Sequence, residues 1–231
     1  MNYRRTDASD TVQLRALFQR AFGDSDEDLD AFFVEIYPDC DAFGAFEGEN
    51  LAAMAYCLPL ALEPSGRRGA YIYAVATDAQ YRGQGICRNL LAFAEQSLEK
   101  QGVSCFLLAC ETEELAAMYR KMGFVGSPLA YDAPSRVAMQ KIDAQTYGGM
   151  RETLLADCEH VRYTATQLRF AERGTEFFAL AGFGCASVRT KPNGERQIIE
   201  WLEVAKAPKA APFMAKMADG EEAPFCAFAF D

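Results

Sequence analysis

Apolar and polar positions recur along the chain in two rhythms, and these divide it into helices and strands. Tyr3 to Thr6 reads as a short opening strand. From Asp10 to Gly23, Val12, Leu14, Leu17, Phe18 and Phe22 fall largely on one side of a 3.6-residue repeat, predicting a helix that Gly23 stops. Leu29, Phe32, Phe33 and Ile36 stand at i, i+3, i+4 and i+7, predicting a second helix that ends at Pro38. Its opening run, Asp24-Ser25-Asp26-Glu27-Asp28, complements the positive end of a helix dipole, a commoner role for such a cluster than cation binding. Ala42 to Glu47 and Leu51 to Leu60 form a hairpin through Glu47-Gly48-Glu49-Asn50. Ala70 to Thr77 is a third strand, aromatic or β-branched at alternate positions.

A long helix then runs from about Gly85 to Lys100, with Ile86, Leu90, Leu91, Ala94 and Leu98 on its buried face and Gly102 at its end. Val103 to Cys110 has no polar face, as expected of a central strand covered on both sides. Thr112 caps a helix carrying Leu115, Met118, Tyr119 and Met122, which stops at Gly123. Strand-like pieces around Phe124 and from Ser135 to Lys141 complete a unit of α/β class, a mixed sheet with a parallel βαβ step in its middle. Asp143 to Gly149 reads as a linker, which divides the chain into domains 1–143 and 150–231. The second is a smaller α+β domain: a short helix over Thr166 to Arg173, strands over Glu176 to Thr190 and Arg196 to Val204 joined through Lys191-Pro192-Asn193-Gly194, a helix over Pro208 to Met217, and a last strand over Phe225 to Phe230. Its hairpins loosely repeat the first part, which leaves a degenerate half-repeat open.

Composition narrows the function classes. The formal net charge of −10 repels phosphate backbones, so general nucleic-acid binding is not expected, and it favours an approaching cation such as an amine. The longest apolar run, Leu51 to Leu62, is far short of a spanning helix and contains Pro59, so no membrane association is expected. The N-terminus MNYRRTDASD lacks the pattern of a secretory leader, and the expectation is a cytoplasmic protein. The eight cysteines are scattered without a Cys-x-x-Cys pair, and His160 is the only histidine. Cys105 and Cys110, five apart on one strand, point to opposite faces, so no metal site is expected and the thiols read as free.

The chemically informative stretch is Gln80-Tyr81-Arg82-Gly83-Gln84-Gly85, between the end of a strand and the start of a long amphipathic helix. Glycines there let backbone N–H groups turn toward one point, and the helix N-terminus adds positive partial charge, which together suit a pyrophosphate. An ordinary tight βα turn would also use glycine, and Gly-x-Gly alone does not separate the two. The stretch lacks the Lys-Ser/Thr of a nucleotide P-loop and the third glycine of a dinucleotide fingerprint.

The stretch resembles the acetyl-CoA site of the GNAT N-acyltransferase superfamily, whose Gln/Arg-x-x-Gly-x-Gly/Ala signature it matches. Downstream, Met118-Tyr119-Arg120-Lys121-Met122-Gly123-Phe124 resembles the family's Tyr-x-x-x-Gly-Phe helix ending, and the order of elements from Tyr3 to Lys141 fits the same fold. The resemblance implies an acetyl-CoA-dependent N-acetyltransferase acting by direct attack of a primary amine. It implies that backbone groups of Val75, Ala76 and Thr77 hold the pantetheine arm, that Arg82, Gly83, Gln84, Gly85, Ile86 and Cys87 hold the pyrophosphate, and that Tyr119 is the general acid. The glutamate base that many members carry on the preceding strand is missing from AYIYAVAT; Glu111 is a candidate, although a carboxylate at a helix start is more often a dipole partner, and water, Tyr71, Tyr73, a carboxylate of the second domain or Asp231 are the other routes for the proton. The acceptor, a small-molecule or peptide amine, would lie near Asp24 to Asp30, Phe32, Phe33 and Tyr37, residues equally suited to a helix surface and core. A homodimer is compatible with such folds, although no interface is visible in the sequence. The missing base keeps a non-catalytic acyl-CoA-binding or regulatory module as the alternative.

Overall fold

The computed structural model of the chain describes residues 1–110, 112–126, 138–190, 194–204 and 213–220. They fall into two compact units, Met1–Pro59 with Arg68–Phe106, and Leu60–Arg67 with Leu107–Asp231. The chain therefore crosses between units inside strands rather than through a linker.

In the first unit, β1 (Asn2–Arg5) pairs antiparallel with β2 (Asp41–Glu47), and β2 with β3 (Asn50–Glu63), with a bulge at Ala45/Phe46. β4 (Arg67–Thr77) and β5 (Val103–Ala109) continue the order β1-β2-β3-β4-β5. Register fixes what each face meets. Phe43 of β2 packs on Phe93 of α3 (Ile86–Glu99), with ring centroids 6.1 Å apart. Tyr56 pairs with Ala42, the residue before Phe43, and so points to the other face. There it meets Phe18 of α1 (Thr11–Phe22) at 5.9 Å and Phe32 at 5.0 Å. Helices thus cover both faces, α1 on one and α3 on the other, and the five apolar positions read along α3 are all buried.

Gly23, left-handed at φ 76°, ends α1 as its sequence position predicts. The acidic run opens α2 (Asp26–Ala31), where the Ser25 side chain accepts from the Asp28 amide at 3.1 Å and Asp26, Glu27 and Asp28 occupy the first turn, the dipole arrangement read from sequence. The helix then continues as a π-helical turn, Phe32–Ile36, and a 3-10 turn containing Pro38.

The second unit holds α4 (Glu113–Arg120) and a short β6 (Val125–Gly126). It also holds an antiparallel sheet of order β11-β10-β9-β7, formed by β7 (Met139–Ile142), β9 (Thr175–Leu180), β10 (Gly184–Thr190) and β11 (Arg196–Glu203). β8 (His160–Arg162) pairs with the end of β3, and β12 (Phe213–Met217) pairs with β6. Three sequence expectations are corrected. The expected linker is the start of α5 (Ala144–Leu155): the Asp143 side chain accepts from the Thr146 amide at 2.7 Å, and Tyr147, Arg151 and Leu155 bury one helical face. The long strand from Glu176 is a hairpin, because Gly182 and Phe183 take φ of 87° and 64° and reverse the chain. Met214 to Met217, expected in a helix, lies in strand β12. The short helix is found as α6 (Ala165–Ala171), closed by a Thr164/Gln167 capping box. The expected last strand and the Lys191 to Asn193 turn lie outside the described residues.

Candidate active site

β4 changes character halfway. Gly69 to Ile72 are buried, whereas Tyr73, Ala74 and Val75 are successively half-buried, which a regular two-residue alternation does not produce. The break is at Ala74, whose φ of 48° is rare for a residue with a Cβ. A left-handed residue within a strand departs from regular β geometry, so β4 is irregular just before Val75 to Thr77. Nothing in the sequence singles out Ala74. Strain of this kind, about 1–2 kcal/mol, persists where surrounding packing enforces it, and Tyr73 supplies that packing against Phe32 at 5.4 Å and Phe18 at 6.2 Å.

The loop that follows is held from several sides. The Asp78 amide donates to the Ala52 carbonyl at 2.9 Å, and the Asp78 carboxylate accepts from the Arg20 guanidinium at 2.8 Å and from the Gln80 amide at 3.3 Å. The Arg20 hydrogen bond, followed by the Gln80 amide, lowers the Asp78 pKa from its ordinary value, so it stays anionic. Arg82 folds back so that its Nε donates to the Thr77 carbonyl at 3.1 Å. That contact ties the end of the β4 edge to the loop, bringing together two groups of residues that the sequence assigned to one ligand. Arg20 carries no local signal of this role in the sequence, whereas Asp78, two before Gln80, is legible as an Asx turn.

Gly83 (φ 77°) and Gly85 (φ 74°) are left-handed, and a Cβ built on either meets nothing within 4 Å. Their conformation therefore demands glycine, and the space beside them is open. Gly85 is the N-cap of α3, makes no side-chain cap, and is followed by a first turn without an acidic residue. The N–H groups of Ile86, Cys87 and Arg88 precede the first helical bond, which the Asn89 amide donates to the Gly85 carbonyl at 3.1 Å. Donors converging on open space at a helix N-terminus fit a pyrophosphate. Ile86 is buried beneath this end and anchors it, whereas Gln84 is exposed. Burial pushes the Cys87 thiol up to about 11 and likewise raises Cys40, Cys57, Cys110 and Cys185. Every described cysteine is free.

In the second unit, Tyr119 lies in the last turn of α4, 7% exposed. Thr112 caps that helix by accepting from the Leu115 amide at 3.3 Å. Gly123, φ 93°, reverses the chain so that the Phe124 amide donates to the Tyr119 carbonyl at 3.2 Å and the two rings meet edge-on at 5.9 Å. The Tyr-x-x-x-Gly-Phe spacing is thus a helix stop that clamps the tyrosine ring. Glu111 lies outside the described residues, as does Asp231. Tyr71 and Tyr73 lie on one face of β4, their rings 6.3 Å apart. Among the described residues no group of three His, Cys, Asp or Glu side chains is placed to hold a metal ion, and no helix is long and apolar enough to cross a membrane.

Comparison with known proteins adds the following. A family model described as an acetyltransferase (GNAT) domain matches residues 2–125. N-acetyltransferase 8B of Rattus norvegicus is 33% identical over 82 residues, which are 35% of this chain and 37% of that protein. The match therefore spans well under half of the curated relative. A conserved protein of Enterococcus faecalis V583, described as a probable N-acyltransferase, superposes with a TM-score of 0.64 at 16% identity, covering 94% of this chain and 72% of that one. A GCN5-related N-acetyltransferase from Kribbella flavida superposes at 0.63 and 15% identity, covering 94% and 71%. At such identities these two likenesses speak for the fold, and they extend it over most of the chain.

Proposed function

Because the chain belongs to the GNAT acetyltransferase family, we propose that it is an N-acetyltransferase that moves an acetyl group from acetyl-CoA to a primary amine of a small molecule or peptide. The observation that carries this reading is the uncapped α3 N-terminus, with left-handed Gly83 and Gly85 opening onto free space beside the irregular end of β4. Bound acetyl-CoA supplies the activated acyl group. Main-chain N–H groups from Gly83 to Cys87 bind its pyrophosphate, and backbone groups of Val75, Ala76 and Thr77 take the pantetheine amides. The Val75 N–H stabilises negative charge developing on the acyl oxygen. Tyr119 serves as the general acid: a phenol, with an ordinary pKa of about 10, is still protonated at neutral pH and can hydrogen-bond the sulfur and give it a proton as negative charge builds there and the C–S bond breaks. β4 carries no carboxylate, so the acceptor's proton leaves by another route, for which Glu111 is the sequence candidate.

Calorimetric titration with acetyl-CoA tests the reading, with Gly83→Trp as the control. Micromolar or tighter binding that the variant loses supports it, and absence of saturation at millimolar acetyl-CoA refutes it. A panel of amines assayed for CoA release follows. The bare β4 strand favours a second reading, a non-catalytic acyl-CoA-binding module, and tight binding without release from any amine would establish that instead.

A further inference from the structure

We propose that the groove between α5 and α6 is a second ligand site, built for a small organic monoanion: a carboxylate on a short apolar body. The groove encloses about 270 Å³ and is lined by Gly148, Gly149, Tyr163 and Leu168, with Arg162 and Arg169 also on its wall and Arg151 and Glu152 beneath. None of these residues belongs to the phosphate loop, to the β4 edge or to α4, and the proposal does not depend on acetyl transfer.

Two observations carry it. The first is the glycine pair inside α5. Glycine is among the poorest residues for a helix interior, so its presence there calls for a reason. Gly148 has one: a Cβ would stand 2.7 Å from Cδ1 of Leu168, so glycine lets α6 approach. Gly149 has neither a close neighbour nor a left-handed φ, and a Cβ there meets nothing within 4 Å. What its missing side chain preserves is the groove itself.

The second is the charge balance around the groove. Arg151 is buried and faces Glu200, with Nε to Oε2 at 2.9 Å and Nη2 to Oε1 at 3.2 Å. His160 sets Nδ1 against the Cys158 carbonyl at 2.8 Å and Nε2 against Glu152 at 3.2 Å, and Glu152 also lies 3.4 Å from Arg151 and 4.0 Å from Arg162. Arg162 pairs with Glu63 at 3.5 Å. Arg169 donates to the neutral Thr166 hydroxyl at 3.3 Å, and no ion pair of Arg169 is found among the described residues. In a chain of net charge −10, with the Glu172 carboxylate held by the Ala144 amide at 2.7 Å, Arg169 is the guanidinium of this wall without a carboxylate partner among the described residues, beside apolar Leu168, Ala165 and Ala144. A guanidinium fork matches a carboxylate in two parallel bonds, and the volume, below the usual range for drug-sized ligands, suits a short acyl chain.

The test uses the full chain with hexanoate as probe, followed by calorimetry and thermal shift, alongside hexanol, hexylamine and inorganic phosphate. Saturable binding of hexanoate is expected, with hexanol and phosphate at least tenfold weaker and no binding of hexylamine. Arg169→Gln should weaken hexanoate at least tenfold. Gly149→Phe should abolish binding without lowering the melting temperature, which separates a filled groove from a misfolded one. No saturable binding, equal binding of hexanol or of phosphate, or hexanoate binding unchanged in Gly149→Phe would each overturn the proposal.

Discussion

Replacing Gly85 by alanine asks whether the backbone at the start of α3 is a ligand cradle or only a turn. The residue sits at φ 74°, a region that costs an L-residue about 1–2 kcal/mol, and the added methyl meets nothing within 4 Å, so conformation is the whole perturbation. Gly85 is exposed at the end of a loop, so the chain relieves the strain by turning, and the N–H groups of Ile86 and Cys87 lose their aim. A hydrogen bond to a charged partner is worth about 1.5–3 kcal/mol, and 1.4 kcal/mol is tenfold in Kd, so acetyl-CoA should bind about tenfold or more weakly. Gly48→Ala is the matched control, because Gly48 is also left-handed (φ 61°) with open space around it, in the β2–β3 turn. Calorimetric Kd and melting temperature would be measured for both. Each variant should lose about 2–8 °C, from roughly 2–4 °C per kcal/mol in a chain of this size. If both lose stability alike while Kd stays within about twofold of the parent in both, the loop is not the pyrophosphate site.

Other outcomes follow from the same structure. Tyr119→Phe should lower kcat by about a hundredfold or more with little change in KM for acetyl-CoA, since it removes a proton and not a binding contact; an unchanged kcat returns Tyr119 to the role of a core residue. His160, the only histidine, gives one imidazole titration by NMR. Burial disfavours its charge, but the Glu152 and Cys158 hydrogen bonds outweigh that and raise its pKa. Its stabilising contribution is therefore full below the unfolded value of about 6.5 and fades as pH rises through the folded value. His160→Gln should flatten that dependence in urea unfolding. Glu200→Gln removes the fully buried carboxylate of the Arg151 pair, leaving only the half-buried Glu152 at 3.4 Å, and should cost up to about 3–5 kcal/mol by the same assay.

Much of the first unit is legible in the sequence because its signals are local. Apolar stripes and a left-handed glycine beside each helix specify α1 and α3 without reference to the rest of the chain. The turn from Gln80 to Gly85 is legible because both of its glycines take left-handed backbone angles. The failures share the opposite property. Gly148-Gly149 reads as a break, yet the Asp143 cap and the face formed by Tyr147, Arg151 and Leu155 impose a helix, with Arg151 ion-paired to Glu200 on a strand far along the chain. The reversal at Gly182-Phe183 has no polar residue to announce it. β12 pairs with β6 across a long stretch of sequence, a contact no local rhythm encodes. Ala74 is the clearest case at the candidate site: its backbone angle results from packing around Tyr73, and alanine as a residue type carries no hint of it.

The buried thiols have a practical bearing on the chemistry expected here. Cys87 stands in the first turn of α3, a place where a helix dipole ordinarily favours thiolate. Burial wins, and at about 11 its pKa leaves roughly one molecule in ten thousand ionised at pH 7. Such a thiol is a poor competitor for an acyl group and is slow to attack a disulfide. An acetyl-CoA-dependent enzyme would thereby be shielded from S-acylation at Cys87 by its own donor, and a thiol-trapping dye added to follow the reaction would report on released CoA with Cys87 slow to react.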